Sequence, residues 1–231
     1  RAMPWDLDVH TRNAAMIFHK TESNITKLER YLGKKAVHAS NYGMMGQKLA
    51  EELLKDGWER TGDECQAMID TYLDAYPAIR RWQQRTRQTV LAERRLVNSW
   101  GRVLDLRYDR LTDDVYRQAY AFIPQSEIGD LLNQWGLVPL FEWLQAEGLR
   151  TKINLQVHDS LVMSAPPHEV WAVYSFVRRS LERPRVYQGV EVMIPVEAKL
   201  GRTWKTTHEF KRPPTQAELE QAAYSLLEGP V

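Results

Sequence analysis

Arg30, Lys34, His38 and Tyr42 recur at intervals of four residues. On an α-helix that spacing puts two full positive charges, an imidazole and a phenol in one stripe, drifting by about 40° per step. A solvated helix face ordinarily interleaves acids at the same spacing to form supporting pairs, and only Glu29 stands near enough in sequence to do so. A phosphate-rich ligand is the natural counter-charge, because Arg grips phosphate oxygens in a fork and Lys acts as a point charge. The competing reading of the same four residues is an ordinary basic face.

A second candidate is the polar triplet His158-Asp159-Ser160 between two apolar runs. A carboxylate at the tip of a tight strand turn can hold a hard divalent cation, although one Asp alone is not a metal site. The plainer alternative is an Asp that makes the turn by bonding its own backbone. A nucleophilic triad has little support, since His158 is too close to Ser160 to face it well and no Gly-x-Ser-x-Gly elbow exists. The other histidines form no ligand-like spacing with His158.

The third feature is charge. Total net charge is only +1, but nine arginines and three acids fall between Arg80 and Arg110, a local net of about +6. That density attracts a polyanion, or else marks solvated helix faces.

The elements that must carry these groups can be read from periodicity. Small and apolar residues over 10–20 have helical spacing, and Thr26-x-x-Glu29 is a capping box that starts a helix running to about residue 42. Further helices are predicted over 47–54, ended by Gly57, then from an Asp63 cap to Pro77, then over 78–96. Short strands are expected around Gly101, and a long helix over 113–145 with an irregularity near Pro124. In 153–158 apolar residues alternate, so Ile153, Leu155 and Val157 should share one face of a strand that turns at His158-Asp159-Ser160. A helix over 167–181, an alternating strand over 190–197 and a polar tail from Arg212 with one short helix complete the prediction. Helices first and antiparallel strands later make this an α+β chain.

Composition excludes several classes. At 231 residues and 43% hydrophobic content the chain can bury a substantial core, so a disordered tail or mini-protein is excluded. No apolar run approaches the roughly 18 residues of a membrane span, and no secretory signal is recognisable at the start. A single cysteine, Cys65, allows neither an internal disulfide nor a cysteine-ligated metal site, which fits a reducing compartment. An intracellular, cytoplasmic protein is expected, in the host cytoplasm if phage-encoded.

The stripe and the hairpin together resemble motifs B and C of the family A DNA polymerases. Arg30-Tyr-Leu-Gly-Lys34-Lys-Ala-Val-His38-Ala-Ser-Asn-Tyr42-Gly43 has that family's Arg-x3-Lys-x7-Tyr-Gly spacing, and Val157-His158-Asp159-Ser160-Leu161 is similar to its Val-His-Asp-Glu-Leu hairpin. Asp8-Val9-His10-Thr11, Trp100-Gly101-Arg102, Pro124-Gln125-Ser126 and Ile194-Pro195-Val196-Glu197 resemble further family segments in the same order. The resemblance implies fingers over 1–96, a palm portion over 97–211 and a tail over 212–231. It implies that His10, Arg30, Lys34, His38 and Tyr42 bind the incoming dNTP, with Tyr42 closing over the nascent base pair. Arg102, Gln125 and His158 would contact primer-template DNA, and Asp159 would be catalytic as one of two aspartates holding two Mg²⁺ ions.

Three departures accompany the likeness. His38 stands where the family usually has Phe or Tyr, so sugar discrimination is not carried over, and Ser160 replaces a usual carboxylate. The family's motif A, bearing the other metal-binding Asp, should precede His10 by about 30 residues, where this sequence has nine. Asp6 and Asp8 are the only acids there, and neither is a credible substitute. The expectation is therefore a polymerase portion that needs an upstream piece, as a missing segment or a separate chain, and is inactive alone. The alternatives are a single-subunit RNA polymerase fragment, whose hairpin often reads His-Asp-Ser, and an inactive primer-template binding module.

Overall fold

The structure is a computed structural model that describes residues 8–187 and 189–228, so Asp6 lies outside the described residues. It is α+β, with helices dominating and short antiparallel strand pairs between them. The chain divides into two compact units between Glu127 and Ile128. The change from helix to strand, on which a boundary near residue 96 rests, lies inside the first unit.

The first unit begins with α1 (Val9–Ile17), a 3-10 turn (Glu22–Asn24) and α2 (Lys27–Asn41). Thr26 caps α2 with the predicted reciprocal box, its hydroxyl accepting from the Glu29 N–H at 3.2 Å while Glu29 accepts from the Thr26 N–H at 3.0 Å. Helices α3 (Gly46–Lys55) and α4 (Gly62–Ala75) follow. The cap of α4 is Thr61, whose hydroxyl accepts from the Glu64 N–H; Asp63, the predicted cap, sits in the first turn. Buried Leu32 and Ala36 of α2 meet Leu49 and Leu53 of α3 and Cys65 and Ile69 of α4, so the apolar stripes of three helices close on one another.

Helix α5 (Pro77–Glu93) ends three residues before the predicted 96, because Arg94 turns left-handed at φ 55° and Leu96 enters a strand. Strands β1 (Arg95–Val97) and β2 (Val103–Asp105) pair antiparallel across the Gly101 turn. Val90, Leu96 and Leu106 form a second core with Tyr116 and Tyr120 of α6 (Asp113–Leu131). Pro124 lies inside α6 without ending it. The predicted irregularity comes later, as a π-helical stretch over Leu132–Leu137 before α7 (Val138–Ala146). Pro139 lacks an N–H to donate back, which fits a local change of helical hydrogen bonding there.

In the second unit, β3 (Lys152–Val157) pairs antiparallel with β4 (Ser160–Ser164), and the register slips between Ile153 and Leu155. The slip makes Asn154 the extra residue of a bulge and divides the predicted apolar face. Ile153 opposes Met163 on the core side, whereas Leu155 opposes Val162 and is 48% exposed. A short 3-10 turn (Pro167–Glu169) leads to α8 (Val170–Leu181), whose Val173 and Val177 pack with Leu140 and Leu144 of α7.

The predicted strand over 190–197 reduces to β6 (Val190–Val192), paired with β5 (Arg185–Tyr187). Residues 193–198 form no strand, and the Val196 N–H donates instead to Glu182 Oε1 at 3.0 Å. After β7 (Lys199–Gly201) and β8 (Thr207–Glu209), the short helix expected in the polar C-terminal stretch is α9 (Gln216–Glu228). Its Leu219 and Ala223 are buried against Val170 and Tyr174 of α8. Among the described residues these are the two of α9 that are buried in that cluster.

One contact in the first unit sets the distance between α1 and α2. A Cβ on Gly33 would lie 2.8 Å from Ala14 Cβ and 2.9 Å from Ala14 Cα, so the helices touch where neither has a larger side chain. Gly33→Ala is therefore expected to destabilise the chain by about 1 to 3 kcal/mol in reversible urea unfolding, the usual cost of overpacking. An unchanged midpoint would show that the two helices can separate freely.

Candidate anion site and hairpin carboxylate

Close approach of α1 and α2 places His10, in the second turn-forming position of α1, beside the stripe of α2. Burial lowers the His10 pKa from its ordinary 6.5, with the charges of Lys34 and Arg30 acting in the same direction. Its Nδ1 is enclosed and has no hydrogen-bond partner among the described residues. The His38 pKa is also lowered, first by burial and then by Lys34 and Lys35. Both imidazoles are thus held toward the neutral form by a cationic neighbourhood.

The stripe's counter-charges differ from the one expected. Glu29 is spent on Thr26 and on Lys20, which donates to it at 2.5 Å. Arg30 instead meets Asp8 from α1's N-terminus, Nε donating to Oδ2 at 2.9 Å and Nη2 to Oδ1 at 3.0 Å. Lys35, on a neighbouring face, pairs with Asp56 at 2.9 Å. Lys34 has no carboxylate partner among the described residues. One full positive charge, the remaining N–H groups of Arg30 and two neutral imidazoles therefore stand together.

Tyr42 closes α2, its N–H donating to the His38 carbonyl at 3.2 Å. The two rings are 6.4 Å apart, centroid to centroid. Gly43 follows at φ 68°, and a Cβ there would reach the Tyr120 ring at 2.8 Å, so the Tyr-Gly pair suits only a side-chain-free second residue. Exposed Gln125 of α6 donates to the Tyr42 hydroxyl at 3.3 Å, and Gln83 of α5 donates to the Ser40 carbonyl at 2.7 Å. His10, Arg30, Lys34, His38, Tyr42 and Gln125 are therefore brought together in the first unit. Arg102 stands on the β1–β2 turn, where its N–H donates to Asn98 Oδ1 at 2.9 Å, and that turn is tied to α6 through Asn98–Ser126 and Ser99–Glu127 hydrogen bonds.

The arginine-rich segment is largely committed. Arg80 pairs with Asp70 and Asp74, Arg107 with Asp105 at 2.6 Å, and Arg87 lies 4.2 Å from the Tyr116 ring centroid. Arg81, Arg85 and Arg110 are exposed and have no acidic partner among the described residues.

His158 and Asp159 form the two-residue turn between β3 and β4 in the second unit, where Val157 opposes Ser160. His158 adopts φ 53°, and the Ser160 hydroxyl donates to the Val157 carbonyl at 2.9 Å, so the turn is held by Ser160 rather than by the Asp side chain. Asp159 is exposed and its carboxylate accepts no hydrogen bond from the described residues. A hard-oxygen donor of this kind suits Mg²⁺, and it would supply one ligand. Among the described residues no group of three or more His, Cys, Asp or Glu could hold a metal ion.

Sequence reasoning missed Asp8 as the partner of Arg30, which lies 22 residues away. It also missed Gln83, which a helical pattern records only as a polar position. The depressed imidazole values carry a pH signature. Unfolding restores ordinary histidines, so stability from these two groups is full above pH 6.5 and falls as pH drops below that value. The chain's denaturation midpoint is expected to decline from pH 7 to pH 5.5, and His10→Gln with His38→Gln should flatten that slope; an equal slope in the double variant would overturn the assignment.

The sequence model of DNA polymerase family A matches residues 1–206. The thermostable DNA polymerase I of Thermus aquaticus is 28% identical over 211 residues, covering 87% of this chain and 24% of that protein. DNA polymerase I of Pseudomonas aeruginosa is 29% identical over 208 residues, covering 88% and 22%, and a DNA polymerase of Bacillus phage SP01 is 26% identical over 212 residues, covering 87% and 23%. The chain thus spans about a quarter of the length of the curated relatives it matches. In fold it is similar to the POL domain of Pol1 from M. smegmatis, solved in complex with DNA primer-template and dNTP, at TM-score 0.67 and 20% identity over 77% of this chain and 31% of that one. Among the described residues no helix is long and apolar enough to cross a membrane. The match over nearly the whole chain, together with the paired motifs in their expected order, means that the chain belongs to DNA polymerase family A.

Proposed function

We propose that this chain supplies the nucleotide-gripping and part of the metal-holding machinery for template-directed DNA synthesis, transferring a nucleotide from dNTP to a primer 3′ hydroxyl. The observation that carries the reading is the cluster where α1 meets α2, in which Lys34 stands without an acidic partner among the described residues beside Arg30, His10 and His38. His10, Arg30 and Lys34 hold the triphosphate by donating to its oxygens, with Arg30 and Lys34 offsetting its charge. His38 stands one turn further along, and Tyr42, steadied by Gln125, covers the nascent base pair. Arg102, Gln125 and His158 contact primer and template. In this reading residues 1–96 act as fingers, 97–211 as the palm portion and 212–231 as a tail.

Asp159 provides one carboxylate to divalent metal. Asp159 would hold such an ion together with a further carboxylate, and the ion would supply activation of the primer hydroxyl and charge neutralisation at the pyrophosphate. The second carboxylate comes from residues beyond those described, whether of the same polypeptide or of another. The family match favours DNA synthesis over the RNA polymerase alternative, and comparing deoxy- with ribonucleotide incorporation distinguishes the two.

The purified 231-residue chain with Mg²⁺ and primer-template is expected to extend the primer little, and robust synthesis without an added polypeptide would overturn the need for a second carboxylate. In the active assembly, Lys34→Ala should weaken dNTP affinity by about 1.5 to 3 kcal/mol, roughly ten- to hundredfold, as for loss of a charge-assisted hydrogen bond. Asp159→Ala should abolish extension. If instead DNA and nucleotide binding ignore both substitutions and no assembly extends a primer, the chain is a binding module.

A further inference from the structure

The Asp8 carboxylate accepts four hydrogen bonds. Thr11 contributes its N–H at 3.0 Å and its hydroxyl at 2.7 Å, and Arg30 contributes Nε at 2.9 Å and Nη2 at 3.0 Å. The first pair caps α1 and so fixes where the chain turns into His10, two residues on. The second pair reaches across to α2 and grips Arg30 along one edge of its guanidinium. One side chain therefore sets the start of the helix bearing His10 and the rotamer of the arginine on the opposing helix.

This contact is poorly placed to serve stability. The Arg30 and Asp8 side chains are 43% and 47% exposed, and an ion pair that open to water contributes little. Its effect is geometric. An arginine has five N–H donors, of which Asp8 takes two, leaving both on Nη1 and one on Nη2 for a ligand. A long side chain already frozen in that pose loses less freedom when it meets an anion.

We infer that Asp8 is a positioning residue for the phosphate site, locking Arg30 and the α1 start into one preset anion grip. The inference rests on the nucleotide reading above, and it predicts a sign that plain charge counting reverses. Removing a negative charge beside a polyanion site ought to tighten binding; removing a positioning group ought to weaken it.

Asp8→Asn separates the roles, because Asn caps a helix as well as Asp does but grips a guanidinium without charge. Binding of inorganic tripolyphosphate to the full chain would be measured by calorimetry for the unaltered protein, D8N, R30Q and the double variant. The expected result is a weakening by D8N of roughly two- to tenfold, the cost of freezing one long side chain, with an unchanged thermal midpoint and no further effect of D8N once Arg30 is replaced. Unchanged affinity in D8N would make Asp8 a helix cap only, tighter binding would make it a charge mask, and either overturns the inference. If R30Q leaves tripolyphosphate affinity intact, or the unaltered chain does not bind it, the nucleotide reading fails and the inference with it; weakening by R30Q alone spares that reading and rejects the role of Asp8.

Discussion

Cations on one helix repel, and water normally separates them. The first unit nevertheless holds Arg30, Lys34 and two imidazoles together because α1 and α2 touch at Gly33 and Ala14, where no side chain larger than a methyl holds them apart. That contact brings His10 to the stripe and lets Asp8 reach Arg30 across the helix pair. The electrostatic cost is reduced in two ways visible in the structure: the imidazoles are driven toward neutrality, and a single carboxylate offsets one of the two full charges. Among the described residues, one lysine without a carboxylate partner and one guanidinium occupied along a single edge are left over, the kind of donors that suit a phosphate in the proposed reading.

The second unit solves a different problem, presenting a carboxylate at a turn without burying it. The β3–β4 hairpin achieves this with a two-residue connection, a left-handed His158 and a hydroxyl latch from Ser160. The Asn154 bulge lets the strand keep Ile153 on the core while reversing the faces beyond it, and Asn154 Nδ2 donates to Ser164 Oγ at 2.6 Å to hold the irregularity. Behind the hairpin, buried Glu169 accepts from the Arg150 N–H and from the Thr151 N–H and hydroxyl, satisfying backbone that leads into β3. The Asp side chain is consequently not needed for the turn itself, and is free for other chemistry.

Family membership and the physical reading bear on each other at specific residues. Membership follows from the match over 206 positions, but it is silent on how this chain manages its own departures. Ser160 illustrates the point: where the family pattern has a second acid, the hydroxyl here completes the turn. His38 is likewise a ring among cations, held neutral by burial and by Lys34 and Lys35, so it stands in the stripe as an aromatic group rather than a third full charge.

The sequence by itself determined the helices whose signals are local: the Thr26 box, the four-residue stripe of α2, the apolar faces of α3 and α4, and the turn at His158-Asp159. Each depends on contacts within a few residues, so spacing alone records it. It misplaced features set by competition between local rules, namely the cap at Thr61 rather than Asp63 and the helical irregularity beyond Pro124. Tertiary structure decided the rest. Whether Ile153 and Leu155 share a face depended on a bulge, and where the expected C-terminal helix docks depended on α8 offering Val170 and Tyr174 as a surface. The partner of Arg30 was decided by two helices meeting across 22 residues, because a carboxylate's choice of cation is a matter of distance in space, to which periodicity along the chain is blind.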